Sequence, residues 1–158
     1  MSKTLKKEAG LTLIELIIAM SIFAIITSIA SVSLLNTQHK ASINASTTVL
    51  VTDFRQQQIK AMTGDTEGRP SGNRYGVHFE TDKYVLFNGT YTAGEPSNFE
   101  VPLESTLSFT GITGDGNIIF EQGSGELLGM SGVTIQDSLN NDQKVIQLNN
   151  FGVVTDVN

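Results

Sequence analysis

The chain has 158 residues, a formal net charge of −6 at pH 7 and no cysteine. The lack of cysteine excludes a disulfide scaffold, thiolate metal ligands and a cysteine nucleophile. Charge is distributed unevenly: Lys3, Lys6 and Lys7 make the first ten residues basic, whereas Asp and Glu outnumber Lys and Arg by more than two to one after Lys40. An acidic body repels polyphosphate, which argues against nonspecific nucleic-acid binding.

The first predicted element is an apolar helix. Residues 16–35 read LIIAMSIFAIITSIASVSLL and contain no charge. As a helix, a segment of this length spans about 30 Å, the thickness of the hydrocarbon core of a bilayer. Lysines before it and an acidic body after it predict a cytoplasmic N-terminus and an exported body. We therefore expect a single-pass protein with membrane lipid around this helix.

Two fates of the apolar segment are open. Ser28 and Ala30 have suitable spacing for removal of everything through Ala30 by signal peptidase, which would release an exported protein of unknown activity. Alternatively the helix is permanent. Glu15 favours permanence, because the apolar middle of a signal gains nothing from a carboxylate, whereas an ionisable group at membrane depth predicts a function and a partner. The alternative for Glu15 is a position among the lipid headgroups.

The stretch GLTLIEL at residues 10–16, after a lysine-bearing leader and before the apolar helix, resembles the class III signal of type IV pilins and type II secretion pseudopilins. The resemblance implies that prepilin peptidase cuts between Gly10 and Leu11 and that the new amine of Leu11 is N-methylated. Leu11 stands where the family usually has phenylalanine. Val32 stands where many major pilins have proline, which favours a minor subunit.

The resemblance also implies a partner for Glu15. The Leu11 amine is a cation at membrane depth, and the Glu15 carboxylate of a neighbouring subunit would neutralise it. An unpaired charge there costs roughly 2.5–3.5 kcal/mol, so pairing would favour assembly. The implied partners are prepilin peptidase, other pilin or pseudopilin subunits and the assembly platform of the bacterial inner membrane. From that membrane the protein would join a pilus or pseudopilus filament.

Helical periodicity continues past the apolar segment. Ile43, Leu50, Phe54 and Ala61 form an apolar stripe, on which Thr47 and Gln58 fill the intermediate steps. We expect four segments: a leader at 1–10, a membrane or filament-core helix at 11–35, an amphipathic continuation at 36–63, and a β-rich head at 64–158.

The head changes to a period of two, which indicates strands. YGVHF and KYVLFN, at 75–79 and 83–88, predict a hairpin. The other predicted strands are Val101–Leu103, Leu107–Thr110, Asn117–Glu121, Val133–Asp137, Lys144–Leu148 and Val153–Thr155. The glycine-rich residues 121–132 are expected to be a loop or an irregular edge strand. One long helix and antiparallel strands predict an α+β fold, which resembles the GspH/FimT group of minor pseudopilins.

Other chemistry in the head is weakly indicated. A DNA-uptake subunit would bind DNA through Arg55, Lys60, Arg69, Arg74 and Lys144, although acidic residues surround them. Turn chemistry explains the carboxylates among glycines at 64–68 and 114–117 better than a calcium loop does. His39 is expected at headgroup level and His78 on a solvent-facing strand side. We expect no enzyme activity, no cofactor and no metal site.

Overall fold

The computed structural model of the chain describes residues 12–68 and 73–158, with the side chains of 30–36 left out. The described part contains helix α1 at Leu13–Thr63 and a set of strands after it. The strands are β1 Tyr75–Phe79, β2 Lys83–Asn88, β3 Phe99–Pro102, β4 Leu107–Thr110, β5 Asn117–Phe120, β6 Leu127–Gly129, β7 Gly132–Asp137, β8 Gln143–Leu148 and β9 Val154–Val157. The predicted α+β class is confirmed.

The chain divides into two compact units between Gln38 and His39. The hydrophobic core lies in the second unit and begins at Ile43. The predicted stripe of α1 is buried there: Ile43, Leu50, Phe54 and Ala61 are all at most 3% exposed. Burying this face is the main source of helix stability, because isolated helices are marginal in water.

The residue that faces the core between Phe54 and Ala61 was predicted wrongly. Gln57, not Gln58, faces the core and is 3% exposed. Alternating steps of three and four residues keep a stripe on one side of a helix, and Gln57 is the three-residue step from Phe54. Gln58 lies beside the stripe, and its Nε2 donates to the carbonyl oxygens of Gly125 at 3.0 Å and Phe151 at 2.6 Å.

In the described part, the strands form two antiparallel sheets. One has the order β3-β2-β1-β5-β6 and the other β4-β7-β8-β9. The predicted hairpin is confirmed, with Val77 opposite Leu86 and Phe79 opposite Tyr84. Alternation directs Tyr75, Val77 and Phe79 towards α1, where the rings of Phe54 and Phe79 meet edge to face at 6.1 Å.

Strand β6 lies in the stretch predicted as a loop or an irregular edge strand, and it is an edge strand. Gly129 has φ +85°, and a Cβ on it would stand 2.4 Å from the carbonyl oxygen of Asn117 on β5. Glycine is thus required where β6 approaches β5. Because glycine has no side chain, it interrupts the alternation of apolar and polar residues by which a strand is recognised in the sequence. The predicted strand at 101–103 begins earlier, because Phe99 pairs with Leu86.

Within residues 12–68 and 73–158, none of the helices meets the length and apolarity needed to cross a membrane. The assignment of residues 11–35 to a membrane stays a prediction, and part of that range lies outside the described residues.

Candidate functional site

The N-terminal part of α1 presents apolar side chains on every side. All described side chains from 12 to 29 are exposed, and the large apolar ones among them have exposed fractions between 51% and 76%. Soluble monomers rarely leave apolar surface of this extent uncovered. This surface therefore needs an apolar environment or apolar partners.

Two hydroxyl groups on this segment are satisfied within the helix. Ser21 Oγ donates to the carbonyl oxygen of Ile17, and Thr27 Oγ1 to that of Phe23, both at 2.8 Å. Their side chains consequently present little unsatisfied polarity, which suits close approach of helices in lipid. The side chains of Ser31 and Ser33 on the same segment lie outside the described residues.

Glu15 occupies the first turn of α1 and has an exposed side chain. Its backbone N–H donates to Thr12 Oγ1 at 3.3 Å, so Thr12 is the N-cap and Glu15 stands at the third helical position. A threonine and a glutamate at this spacing form the pattern of a capping box, and an acid here is favourable near the positive end of the helix dipole. Local capping is thus a second physical role for Glu15.

The predicted processing residues, Gly10 and Leu11, lie outside the described residues. The resemblance alone carries their assignment from the motif GLTLIEL, with the described helix beginning two residues after Leu11.

Two of the basic residues proposed for DNA binding pair with carboxylates. Lys60 Nζ lies 2.7 Å from Glu67 Oε1, and Arg74 lies 2.9 Å from Glu121. Arg55 is exposed, whereas Lys144 is half-buried on β8. Arg69 lies outside the described residues. Because two of the candidates already pair with carboxylates, they offer DNA no unpaired charge.

His39 contacts the β-rich head of the protein. It was predicted to lie at the level of the lipid headgroups, and this contact was not predicted from the sequence. Its Nδ1 is 3.4 Å from Oδ2 of Asp137, whose side chain is fully buried at the end of β7. The Oδ1 atom of Asp137 accepts the backbone N–H of Leu139 at 2.9 Å, whereas Oδ2 has no hydrogen-bond partner among the described residues. The two side chains therefore interact electrostatically without a well-formed hydrogen bond.

His78 is half-buried, so the prediction of a solvent-facing side chain was wrong. Its ring stacks on that of Tyr91 at 3.7 Å, and its Nδ1 lies 2.9 Å from Asn117 Oδ1. The loop after β2 covers this sheet face, which the alternation within β1 alone does not reveal.

The predicted turn at 114–117 is confirmed. Gly114 and Gly116 both have positive φ, and Asp115 Oδ1 accepts the backbone N–H of Asn117 at 3.2 Å. Hydrogen bonding to Asn117 lowers the pKa of Asp115 below its ordinary value. Among the residues that the structure describes, no three His, Asp or Glu side chains converge as metal ligands.

Comparison with protein families finds one match at the N-terminus: residues 5–31 match the prokaryotic N-terminal methylation motif. Neither the curated proteins nor the solved structures provide a match to this chain. The motif supports the resemblance to type IV pilin-like proteins, with processing by prepilin peptidase and assembly with other pilin subunits. It ends before the head begins.

Proposed function

We propose that this chain is a minor pilin or pseudopilin, a non-enzymatic structural subunit of a type IV pilus or a type II secretion pseudopilus. Prepilin peptidase cuts the precursor between Gly10 and Leu11, and the Leu11 amine is methylated. The segment at 11–35 first anchors the subunit in the inner membrane and then packs among the equivalent segments in a filament core. The head resembles that of the GspH/FimT group.

The observation that carries the proposal is the methylation motif at residues 5–31, which includes the uncovered apolar part of α1. A helix that is apolar all round is buried in its functional state. Lipid supplies that environment before assembly, and neighbouring helices supply it afterwards. One segment thus serves both states without a change of conformation.

In the proposal, Glu15 pairs with the Leu11 amine of the adjoining subunit. A cation and a carboxylate that meet in an apolar medium fix the axial position of one helix against the next, because displacement would leave both charges unpaired. Capping by Thr12 and Glu15 serves the same helix but requires no charge, since glutamine also completes a capping box.

The experiment separates these two roles. Glu15→Gln keeps the capping pattern and removes the charge, whereas Thr12→Val removes the cap and keeps the charge. We expect Glu15→Gln to be exported and processed normally but to be lost from sheared filaments, as measured by immunoblotting of membrane and filament fractions. Thr12→Val is expected to enter filaments.

Glu126→Gln serves as a matched control, because it removes one carboxylate from a loop of the head. Normal incorporation of Glu15→Gln would contradict the docking role. Loss of Thr12→Val together with normal behaviour of Glu15→Gln would assign the motif to helix capping alone.

A further inference from the structure

Strand β3 leaves one backbone edge of the five-stranded sheet unpaired. The N–H of Leu103 donates to the carbonyl oxygen of Asp82 at 2.9 Å. Hydrogen-bonded and non-bonded pairs alternate along an antiparallel ladder, so Phe99 and Val101 exchange backbone bonds with β2. Glu100, between them, therefore directs its N–H and carbonyl away from the sheet. Among the described strands, only β2 pairs with β3.

A groove runs between this edge and helix α1. Phe99 and Val101 lie opposite Leu86 and Tyr84, which belong to the sheet face that packs on α1. Phe99 is 65% exposed, and Val49 across the groove on α1 is 50% exposed. The helix thus covers β1 and β2 but leaves the corresponding face of β3 open. We call this the β3 groove.

Two cavities follow each other along the β3 groove. The smaller, of about 240 Å³, is lined by Val101 and by Val49 and Tyr84. The larger, of about 450 Å³, is lined by Phe99 and by Gln57 and Asn88. Phe99 and Val101 are two residues apart on one strand, and side chains at this spacing recur on one face of an extended chain about every 7 Å. One side chain of the strand therefore borders each cavity.

The two cavities differ in chemistry. The smaller is mostly apolar, with Val49, Val101 and Leu103 among its lining residues. In the wall of the larger, Gln57 Oε1 and Asn88 Nδ2 are buried without hydrogen-bond partners in the described part of the chain. Buried polar atoms are nearly always paired in native proteins, so a donor and an acceptor left together indicate a missing polar group.

We propose that an extended segment of another protein adds to β3 as a further strand. Its backbone pairs with the N–H and carbonyl of Glu100. One apolar side chain occupies the smaller cavity, and two residues further an amide-bearing side chain occupies the larger one. Backbone pairing provides affinity and the alternate pockets provide specificity, as in other strand-addition complexes. The site lies in the second unit and does not depend on processing or filament assembly.

The charges around the β3 groove indicate which class of segment binds there. Asp53, Lys60 and Glu67 line the larger cavity. Lys60 pairs with Glu67, and Lys83 pairs with Glu100 on the edge, so the Asp53 carboxylate is the acidic group of this site that has no cationic partner among the described residues. A second copy of this chain carries the same net charge of −6, and its edge strand β9 bears Asp156. The like net charges oppose the association of two copies, and the Asp53 carboxylate favours a neutral or basic side chain in the larger cavity, so the occupant is a neutral or basic segment of a different protein.

The test uses the full chain in detergent micelles and a short fluorescent peptide. Valine and glutamine occupy the two peptide positions, two residues apart, that face the groove, and threonine and lysine occupy the others. Anisotropy is expected to show saturable binding. A peptide with the same side chains and N-methylated backbone amides is expected to bind at least about tenfold more weakly, because it has lost the donors that pair with the edge.

Two substitutions at one position provide matched variants. Glu100→Pro removes the outward N–H, which the fold does not use, whereas Glu100→Ala keeps it. We expect Glu100→Pro to weaken peptide binding about tenfold and Glu100→Ala by less than about threefold. Val49→Lys, at an exposed helix position, narrows the groove without touching β3 and is expected to weaken binding similarly.

Equal binding by the wild type, Glu100→Pro and Val49→Lys, or no binding by the wild type, would overturn the proposal. Self-association that Glu100→Pro abolishes would also overturn it, by assigning the edge to a second copy. Filament incorporation of the same variants is a separate readout, and Glu100→Pro and Val49→Lys are expected to enter filaments normally. Failure of the peptide-binding proposal would therefore leave the proposed role of Glu15 unaffected.

Discussion

At the scale of single residues, Tyr84 links β2 to helix α1. Its hydroxyl donates to Asp53 Oδ2 at 2.5 Å, and its side chain is almost fully buried. Burial, together with the hydrogen bond to Asp53, raises the pKa of Tyr84 above the ordinary value of 10.0. The folded protein therefore retains a proton that the unfolded chain releases in alkaline solution.

Tyr84→Phe tests this contact. Near neutral pH the substitution is expected to lower the free energy of unfolding by about 1–2 kcal/mol, because a hydrogen bond to a charged group is lost. A group with a raised folded pKa contributes fully below its unfolded pKa and loses the contribution as pH rises, so the cost should shrink above about pH 10. Denaturant unfolding in neutral and in alkaline solution measures the loss in free energy of unfolding. An equal loss in the two solutions would contradict the proposed contribution of the contact between Tyr84 and Asp53.

The contact between His39 and Asp137 connects the start of the second unit to its core. Asp137 is fully buried, and the side chain of His39 is 24% exposed. His39→Leu removes the basic partner from a buried carboxylate and is expected to cost about 2 kcal/mol, less than a fully buried pair because water reaches the histidine. Thermal unfolding measures the change.

Asp137→Asn is the matched change, because it removes the charge and keeps the shape. If the pair interacts as described, the double variant will cost less than the sum of the two single variants. Strict additivity would show that His39 and Asp137 do not interact energetically.

At the scale of elements, one face of α1 carries the stability of the second unit. Leu50 is fully buried, whereas the neighbouring Val49 is half exposed. Leu50→Ala is expected to cost about 2–5 kcal/mol through lost burial and a residual cavity, and Val49→Ala less than about 1 kcal/mol. Chemical unfolding of the two variants measures the difference, and similar costs would place the core on another helix face.

Sequence patterns predicted the elements better than their contacts. Helical spacing located the stripe from Ile43 to Ala61, and alternation located the hairpin of β1 and β2, because both depend on local periodicity. Strand β6 was recognised only as an alternative, since Gly129 is chosen for close approach and not for propensity. The contacts His39–Asp137 and Tyr84–Asp53 join residues far apart in the chain, so no local pattern reveals them.

The residues of the candidate site were likewise predicted where a local sequence pattern marks them and missed elsewhere. Glu15 was identifiable from the sequence because a charged residue directly beside a long apolar segment is unusual. The capping contact with Thr12 was also readable from spacing but was not predicted. The β3 groove escaped prediction altogether, because an unpaired edge is a property of strand order, which the sequence does not specify locally.

At the scale of the molecule, the charge distribution argues against a DNA-binding head. Lys60, Arg74 and Lys83 all pair with carboxylates, and the chain is acidic overall. We expect no mobility shift of double-stranded DNA by the full chain in detergent, even at low salt, where phosphate contacts are strongest. A shift that disappears on Arg55→Gln would restore the DNA-uptake alternative.

The N-terminus of the mature protein tests the central claim most directly. Intact-mass and fragment-ion analysis of the chain purified from membranes should find methylated Leu11 as the first residue. That result requires the cut after Gly10 and provides the cation that Glu15 is proposed to meet. A chain that begins at Ser31 or still carries Met1 would contradict the account.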